Sequence, residues 1–266
     1  MSAEYLSPND LIDLQYAKQL LENPGFAARV ANALGSPIGK GLACLPHGAT
    51  EIITGATNKS LEVALHFAIL TITKGQQESS NWLHKMMIAA SGMAGGALGL
   101  PGLAIELPIS TTIMLRSIAD VARSEGEDVT SVETKLACLE VFALGGRTNS
   151  DDASKSGYFA VRAALAKAFS EAAEYLAERS IVQETAPPLV RFITQIGVRF
   201  GIQVSEKAMA QIVPIIGGIG GALVNTLFID HFQDMARGHF IVRRLERKCG
   251  NEAVKAAYEE LPSKEP

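Results

Sequence analysis

The sequence predicts an all-α protein, a single helical bundle domain with two glycine-rich apolar helical blocks. Alanine-rich segments place apolar residues three to four positions apart through most of the 266 residues, which is the spacing of amphipathic helices. Long alternation of apolar and polar residues is nearly absent, and Asn-Gly or Asp-Gly hairpin turns do not occur. Since 47% of the residues are apolar and 20% are charged, the chain can bury a sizeable core.

The helices are predicted from the N-terminus onward by their capping residues and apolar spacing. Ser7 is the expected N-cap of the first helix, and Pro8 occupies its first position, where a missing N–H costs little. Further helices are expected at about 24–34, 49–74, 79–98, 102–125, 130–144, 152–183, 187–202, 206–248 and 251–260. All belong to one predicted domain, residues 1–266, which ends in a short flexible tail at 261–266.

Three dipeptides mark the clearest breaks between these helices. Gly145-Gly146 is a natural helix stop, because glycine adopts the left-handed conformation of a helix C-terminus. Asp151-Asp152 starts the next helix, where the acids meet the positive end of the helix dipole. Pro187-Pro188 makes a further break, since the residue before a proline disfavours helical geometry.

Composition and charge exclude several classes of protein. The formal net charge of −4 gives no overall attraction to nucleic acid, so no nucleic-acid partner is predicted. The N-terminus carries Glu4, Asp10 and Asp13 where a secretion signal needs basic residues and then an apolar core. We therefore expect a cytoplasmic protein.

The cysteines fit a reducing compartment. Cys44, Cys138 and Cys249 are widely separated, odd in number and in no Cys-x-x-Cys pair. This pattern argues against a disulfide framework and against a zinc site. They are expected to be small buried or surface thiols.

Two apolar blocks dominate the chain. The first, "MMIAASGMAGGALGLPGLAIELPISTTIML", lies between Lys85 and Arg116 with Glu106 as its only charge, and the second, "AMAQIVPIIGGIGGALVNTLFI", is uncharged. Each is long enough to cross a bilayer, which needs roughly 20 apolar residues. Glycine and proline dilute both blocks, and Glu106 at bilayer depth would cost about 2–3 kcal/mol or more. A simple span is therefore not favoured over shallow insertion or burial in a soluble bundle.

Several glycine pairs in these and neighbouring segments stand four residues apart. They are Gly92 with Gly96, Gly95 with Gly99, Gly197 with Gly201, and Gly217 with Gly221. This spacing places the small residues on one helix face, where another backbone can approach closely in lipid or in a tight core. The pairs are predicted helix-packing positions.

Glu106, His231 and His239 are the candidate catalytic residues. A carboxylate in an apolar run with a histidine nearby could transfer protons, as in a hydrolase with an internal cleft. The alternative for Glu106 is a buried ion pair with Arg116 or Arg243, and the alternative for His239 is a core position.

His231 also stands three residues before Asp234, one helical turn away, which is a weak pattern for a metal site. Glu106 or His239 would have to supply a third ligand from elsewhere. No Gly-rich sequence in the chain has the strand and spacing of a nucleotide-binding loop. The sequence therefore indicates neither a particular cofactor nor a particular metal.

A basic segment follows the second apolar block. "RGHFIVRRLERK" contains Arg243 and Arg244, and cations beside an apolar segment suit anionic lipid headgroups at about 1 kcal/mol each. Together with Arg116, these arginines are the predicted ligand or lipid contacts. The alternative is a solvated helix end whose cations complement the helix dipole.

Three runs carry a resemblance to a known family: "GLPGLAIELPISTTIMLRSIADVARSEGEDV", "LGGRTNSDDASKSGYFAVRAAL" and "VPIIGGIGGALVNTLFIDHFQDMARGHFIVRRLER". They are similar to the signature blocks of the bacterial EcsC family, whose founding member is encoded beside an ABC-transporter system. The matching positions are Glu106, Leu107, Pro108, Thr111, Thr112, Arg116, Gly145, Gly146, Tyr158, Arg162, Pro214, Gly217, Gly221, Asn225, His231, Phe232, Gln233, His239, Phe240, Arg243, Arg244 and Glu246.

The resemblance implies a cytoplasmic or membrane-associated protein without a settled activity. The first hypothesis is a helical protein at the inner face of the cell membrane, accessory to a transport or envelope process. Its partners would be a lipid surface or a membrane protein such as an ABC transporter. The alternatives are a hydrolase that uses Glu106 with His231 or His239, and a helical protein-interaction module.

Overall fold

The computed structural model describes residues 6–22, 25–34, 48–73, 99–145, 157–178, 183–212 and 217–262. These residues form nine α-helices and one short 3-10 helix, and no strand occurs in those ranges. The elements are α1 (Pro8–Glu22), α2 (Phe26–Leu34), α3 (Ala49–Thr73), α4 (Gly99–Ser124), α5 (Val132–Glu140), the 3-10 helix Val141–Ala143, α6 (Gly157–Glu178), α7 (Pro187–Ile212), α8 (Gly217–Cys249) and α9 (Asn251–Glu260). The all-α prediction is confirmed.

The first helix starts where its capping residues predict. The backbone N–H of Asp10 donates to Ser7 Oγ at 3.2 Å, and the backbone N–H of Ser7 donates to Asp10 Oδ2 at 2.9 Å. Two backbone donors at the helix start are satisfied by this reciprocal pair, with Pro8 in the first position.

The boundary between α7 and α8 differs from the prediction. Helices were expected at 187–202 and 206–248, but α7 continues to Ile212 and α8 begins at Gly217. Gln203 and Val204, where a break was expected, are buried within the helix. The predicted helix at 79–98 lies outside the described residues.

Gly197 and Gly201 lie on the face of α7 that contacts α3. A Cβ at Gly197 would lie 3.4 Å from Asn58 Oδ1 and 3.5 Å from Leu61 Cδ1, and one at Gly201 would lie 4.0 Å from Thr57 Cγ2. The pair lies at a helix contact as predicted, but these are ordinary van der Waals distances that do not require glycine. Because the later glycine meets the earlier residue of α3, the two helices run antiparallel.

The other predicted glycine positions are not seen in packing contacts. Gly92 and Gly96 lie outside the described residues. Gly217 and Gly221 belong to the first turns of α8, and their role in packing stays a prediction.

The helices α4 and α8 pack side by side in parallel. Gln233 Nε2 on α8 donates to Ser117 Oγ on α4 at 2.9 Å. Further along both helices, Arg243 Nε donates to Glu127 Oε1, just after α4, at 2.8 Å. The described parts of the two apolar blocks on α4 and α8 therefore lie at the same end of the bundle.

One continuous cluster of buried apolar side chains fills the interior, from Leu14 on α1 to Tyr258 on α9. The first and last helices therefore share one core. Gly238 on α8 allows α1 to approach, since a Cβ there would lie 2.6 Å from Leu21 Cγ and 3.0 Å from Ala17 O. This contact was not predicted from the sequence.

Candidate functional site

The N-terminal ends of α4 and α8 and the C-terminal end of α7 form a surface that we call the apolar end. Ile105 on α4 is 53% exposed and Leu223 on α8 is 36% exposed. Glu106 is the only charged residue of 99–115, and 208–229 has none. Apolar side chains therefore face solvent where charges are scarce.

One helix among the described residues, Gly102–Ser124, is long and apolar enough to cross a membrane. In its most apolar window, 44% of the residues are buried inside the bundle. A core helix of a soluble bundle also has this length and composition, so this property alone does not establish a span.

Glu106 forms an ion pair with Lys207 of α7. The Lys207 ammonium lies 2.8 and 2.9 Å from the two carboxylate oxygens and 4.6 Å from the centroid of the Phe228 ring. Burial lowers the pKa of Lys207, while the charge of Glu106 acts in the opposite direction. An ion pair was the predicted alternative for Glu106, but Arg116 and Arg243 were the wrong partners.

His231 occupies a separate buried position on α8. The Gln203 amide lies 3.4 Å from its Nε2, and the same amide donates to the carbonyl oxygen of Leu144 at 2.6 Å. Burial, followed by the charge of Arg29, lowers the pKa of His231 to about 3. A neutral, enclosed imidazole in this setting supports the loop at residues 144–145.

His231 and Asp234 do not come together as metal ligands. Arg29 pairs with the Asp234 carboxylate at 2.8 Å, so that carboxylate points toward a cation. Within the described ranges, no group of three or more His, Cys, Asp or Glu side chains could hold a metal ion.

A second polar cluster surrounds a cavity of about 330 Å³. We call it the Glu140 pocket. Glu140 ends α5, Arg162 lies on α6, and Arg243 and Glu246 lie on α8. Aromatic and small side chains of α6 complete one wall, including Phe159 and Phe169.

A chain of hydrogen bonds lies behind this pocket. Arg162 binds Glu246 with both terminal nitrogens, at 2.7 and 3.0 Å, and also donates to the Tyr158 hydroxyl at 3.4 Å. The hydroxyl lies 3.0 Å from His239 Nδ1. The hydroxyl can donate to Nδ1 or accept from it, since the roles in this pair depend on the tautomer of the imidazole.

His239 Nε2 faces Glu140. The nitrogen lies 3.9 Å from Glu140 Oε2, and no hydrogen bond reaches this buried nitrogen from the described residues. Burial, then Arg162 and Arg243, lower the pKa of His239 well below its ordinary value. The imidazole is therefore neutral, and its Nε2 is directed at a carboxyl group.

Glu140 titrates near neutrality. Burial raises the pKa of its carboxyl to about 7, against the opposing charges of Arg162 and Arg243. The Glu140 side chain is 6% exposed, so its carboxylate has little water to stabilise it. A carboxyl group that gains and loses a proton near pH 7 is the property required of an acid–base group.

Glu140→Gln is expected to make stability less dependent on pH. The folded-state pKa of Glu140 is raised, so the folded state is stabilised by the protonated carboxyl group. This stabilisation is fully present below the ordinary pKa of 4.5 and is lost as pH rises through about 7. The loss amounts to about 3 kcal/mol at about pH 8, at about 1.4 kcal/mol per pH unit. Urea unfolding at about pH 5 and about pH 8 measures it. If the wild type and Glu140→Gln lost the same stability between these pH values, the raised pKa of Glu140 would be contradicted.

The predicted catalytic residues do not share one site. His239 belongs to the Glu140 pocket, Glu106 to the apolar end and His231 to the loop support. His231 and His239 are eight residues apart on α8, about 12 Å at about 1.5 Å per residue. The hydrolase hypothesis, which used Glu106 with either His231 or His239, stays a prediction.

Glu140 is the functional candidate that the sequence analysis missed. It is a lone carboxylate in the run "LACLEVFAL", the same signal that selected Glu106. Tyr158, Arg162, His239, Arg243 and Glu246 come together around it, and all five are positions that the family resemblance matched.

The predicted lipid-binding arginines of α8 are engaged with carboxylates. Arg243 binds Glu127, and Arg244 lies 2.7 Å from Asp13. Arg243 also lies twenty residues beyond Leu223, about 30 Å at about 1.5 Å per residue. Arg116 is exposed on α4. The arginines of α8 therefore do not line the apolar end.

Comparison with known proteins identifies one family. The model of the EcsC protein family matches residues 14–245. No curated protein and no solved structure matches the chain. The match spans every element from within α1 to the last turns of α8, and so includes both the apolar end and most of the Glu140 pocket.

Proposed function

Because the chain belongs to the EcsC protein family, we propose that it is a cytoplasmic helical protein that binds the inner face of the cell membrane through its apolar end. It would act there as an accessory to a transport or envelope process. A membrane protein of the ABC-transporter type is the partner that the family resemblance suggests.

The observation that carries this proposal is the convergence of the two apolar blocks. The parallel packing of α4 and α8 places Ile105 and Leu223 at the same end of the bundle, each six residues from the start of its helix. Exposed apolar side chains that lie together on a surface are typical of membrane or protein contact.

The pairing of Glu106 with Lys207 also favours contact with lipid. A lone carboxylate would have to lose its water at the membrane surface, which is costly. The buried ammonium instead neutralises it inside the bundle, 2.8 Å away. The Glu106 carboxylate can therefore approach acyl chains as part of a neutral pair.

Flotation with vesicles of phosphatidylethanolamine and phosphatidylglycerol tests the proposal. Wild-type protein is expected to float with the vesicles, and Ile105→Glu combined with Leu223→Glu is expected to remain in the soluble fraction. Each glutamate would have to enter the interface as a charge, at a cost of about 2–3 kcal/mol or more. A carbonate wash should release the wild-type protein, because a peripheral protein does not span the bilayer.

Val190→Glu is the matched control. Val190 is 48% exposed, similar to Ile105, but it lies in the first turn of α7, whose last turns reach the apolar end. This variant should float like the wild type. Equal flotation of all three proteins, or absence of the wild type from the vesicles, would rule out binding through the apolar end.

A further inference from the structure

We propose that the Glu140 pocket binds a small organic acid, whose carboxylate shares a proton with the Glu140 carboxyl group and whose apolar part contacts Phe159 and Phe169. This site is separate from the apolar end and does not depend on membrane binding. No bond is broken in this step, and the proton is taken from solvent.

The geometry leaves Glu140 available to a ligand. Its carboxyl group lines the cavity, and no hydrogen bond reaches that carboxyl group from the described part of the chain. His239 Nε2 lies 3.9 Å from it, which is too far for a hydrogen bond. This buried nitrogen has no hydrogen-bond partner among the described residues.

The charges around the pocket favour an anion over a cation. Arg162, Arg243 and Lys255 line the cavity. Glu246 and Glu252 also line it, so three basic and two charged acidic side chains surround the cavity when Glu140 is protonated. This excess of one positive charge favours an anion.

Several titratable and charged groups surround Glu140. They are Tyr158 and Arg162 of α6, His239, Arg243 and Glu246 of α8, and Glu252 and Lys255 of α9. Burial raises the pKa of Tyr158 and lowers that of His239, so both stay neutral between about pH 6 and about pH 8, and arginines stay protonated. The group identified as titrating near neutrality is therefore Glu140.

The ionisation of Glu140 decides when an anion can bind. Two ionised carboxylates at one buried site repel each other, whereas a protonated carboxyl donates a short, strong hydrogen bond to a carboxylate. Glu140 has a pKa of about 7, so the protonated form is readily reached near neutrality. Above this pH, binding must take up one proton.

The cavity sets the size of the ligand. Its volume of about 330 Å³ is at the lower end of the range for ligand pockets, roughly 300–1,000 Å³. Phe159, Ala163, Ala166 and Phe169 supply apolar surface beside the polar floor. A monocarboxylate with a short apolar chain fits the volume of the cavity, and its two ends match the polar and apolar parts of the lining.

Calorimetric titration with hexanoate tests the proposal, with hexanol and hexylamine as neutral and cationic probes. Hexanoate is expected to bind at about pH 6, and its Kd is expected to rise about tenfold per pH unit above about 7. Titrations at about pH 8 in buffers of different ionisation enthalpy should show uptake of about one proton per hexanoate. Hexanol and hexylamine should bind at least about tenfold more weakly than hexanoate at about pH 6, a difference of about 1.4 kcal/mol.

Glu140→Gln separates this mechanism from general anion attraction. The amide keeps a hydrogen-bond donor but cannot ionise, so hexanoate should bind with the same Kd at both pH values and with no proton uptake. Glu206→Gln is the control, because the carboxyl of Glu206 also has a pKa raised by burial but lies outside the pocket. It should keep the wild-type pH dependence.

Three results would overturn the proposal: wild-type protein that does not bind hexanoate at about pH 6, a wild-type Kd that is equal at about pH 6 and about pH 8, or stronger binding of hexylamine. Proton uptake that persists in Glu140→Gln would place the proton on another group and also contradict it. The outcome of vesicle flotation bears on none of these results.

Discussion

Gly145→Ala is expected to destabilise the fold by about 2–5 kcal/mol, which is the combined cost of a left-handed backbone and of overpacking. Gly145 has φ of +76°, and a Cβ there would lie 2.6 Å from His231 Nε2 and 2.9 Å from Met235 Sδ. His231 has little room to retreat, since its ring centroid lies 5.2 Å from that of Phe232 and 6.2 Å from that of Phe26. Urea unfolding measures the loss.

Gly126→Ala is the control for this variant. Gly126 has φ of +78°, close to that of Gly145, but the nearest atom to an added Cβ is Arg247 Nη2 at 3.8 Å. Only the backbone cost of about 1–2 kcal/mol remains there. If both glycine variants lost the same stability, close packing of His231 under Gly145 would be disproved.

Glu106→Gln is expected to lower stability by about 3–5 kcal/mol, the usual cost of removing one partner of a buried ion pair. The variant leaves the Lys207 ammonium without its carboxylate, in a position where the lysine side chain is 0% exposed. The Phe228 ring at 4.6 Å cannot replace a full negative charge. Chemical unfolding at neutral pH gives the change in free energy.

Replacing the other partner of the ion pair, Lys207, should cost less stability. In Lys207→Met the remaining carboxylate is 25% exposed and can keep part of its hydration. The double variant, Glu106→Gln with Lys207→Met, should recover most of the stability lost by Glu106→Gln, because replacing a buried pair with apolar or neutral groups is often neutral.

An exposed pair provides the baseline. Lys59 and Glu62 are 65% and 62% exposed, so Glu62→Gln should change stability by only about 0–1 kcal/mol. A Glu106→Gln protein as stable as Glu62→Gln would show that Lys207 is hydrated in solution, contrary to its burial.

Much of the fold could be predicted from local sequence. The apolar spacing indicates helices throughout, and the Ser7 cap defines the first helix start as found. The Gly197 and Gly201 pair faces α3, as four-residue spacing implies. The predicted end of α7 was wrong: the chain stays helical through 203–205, where Gln203 and Val204 are buried, and the helix ends at Ile212, two residues before Pro214.

The candidate site was only partly predictable. His239 was selected from the sequence, but its neighbours Glu140 and Tyr158 are on α5 and α6, far away along the chain. The same applies to Glu106, whose partner Lys207 is 101 residues away. Distant ion pairs depend on which helix faces meet, and apolar periodicity shows only that a face is buried.

The amino-acid sequence by itself determined the helical class, the capping of α1, the family and the two glycine-rich apolar blocks. These follow from interactions within a few residues, which the order of side chains specifies directly. Only the tertiary structure decided that Lys207 neutralises Glu106, that His231 fills the space under Gly145 and that Glu140 faces His239 across 3.9 Å. The ionisation of Glu140 depends on its burial among three helices, because a carboxyl group loses its hydration only when distant parts of the chain enclose it.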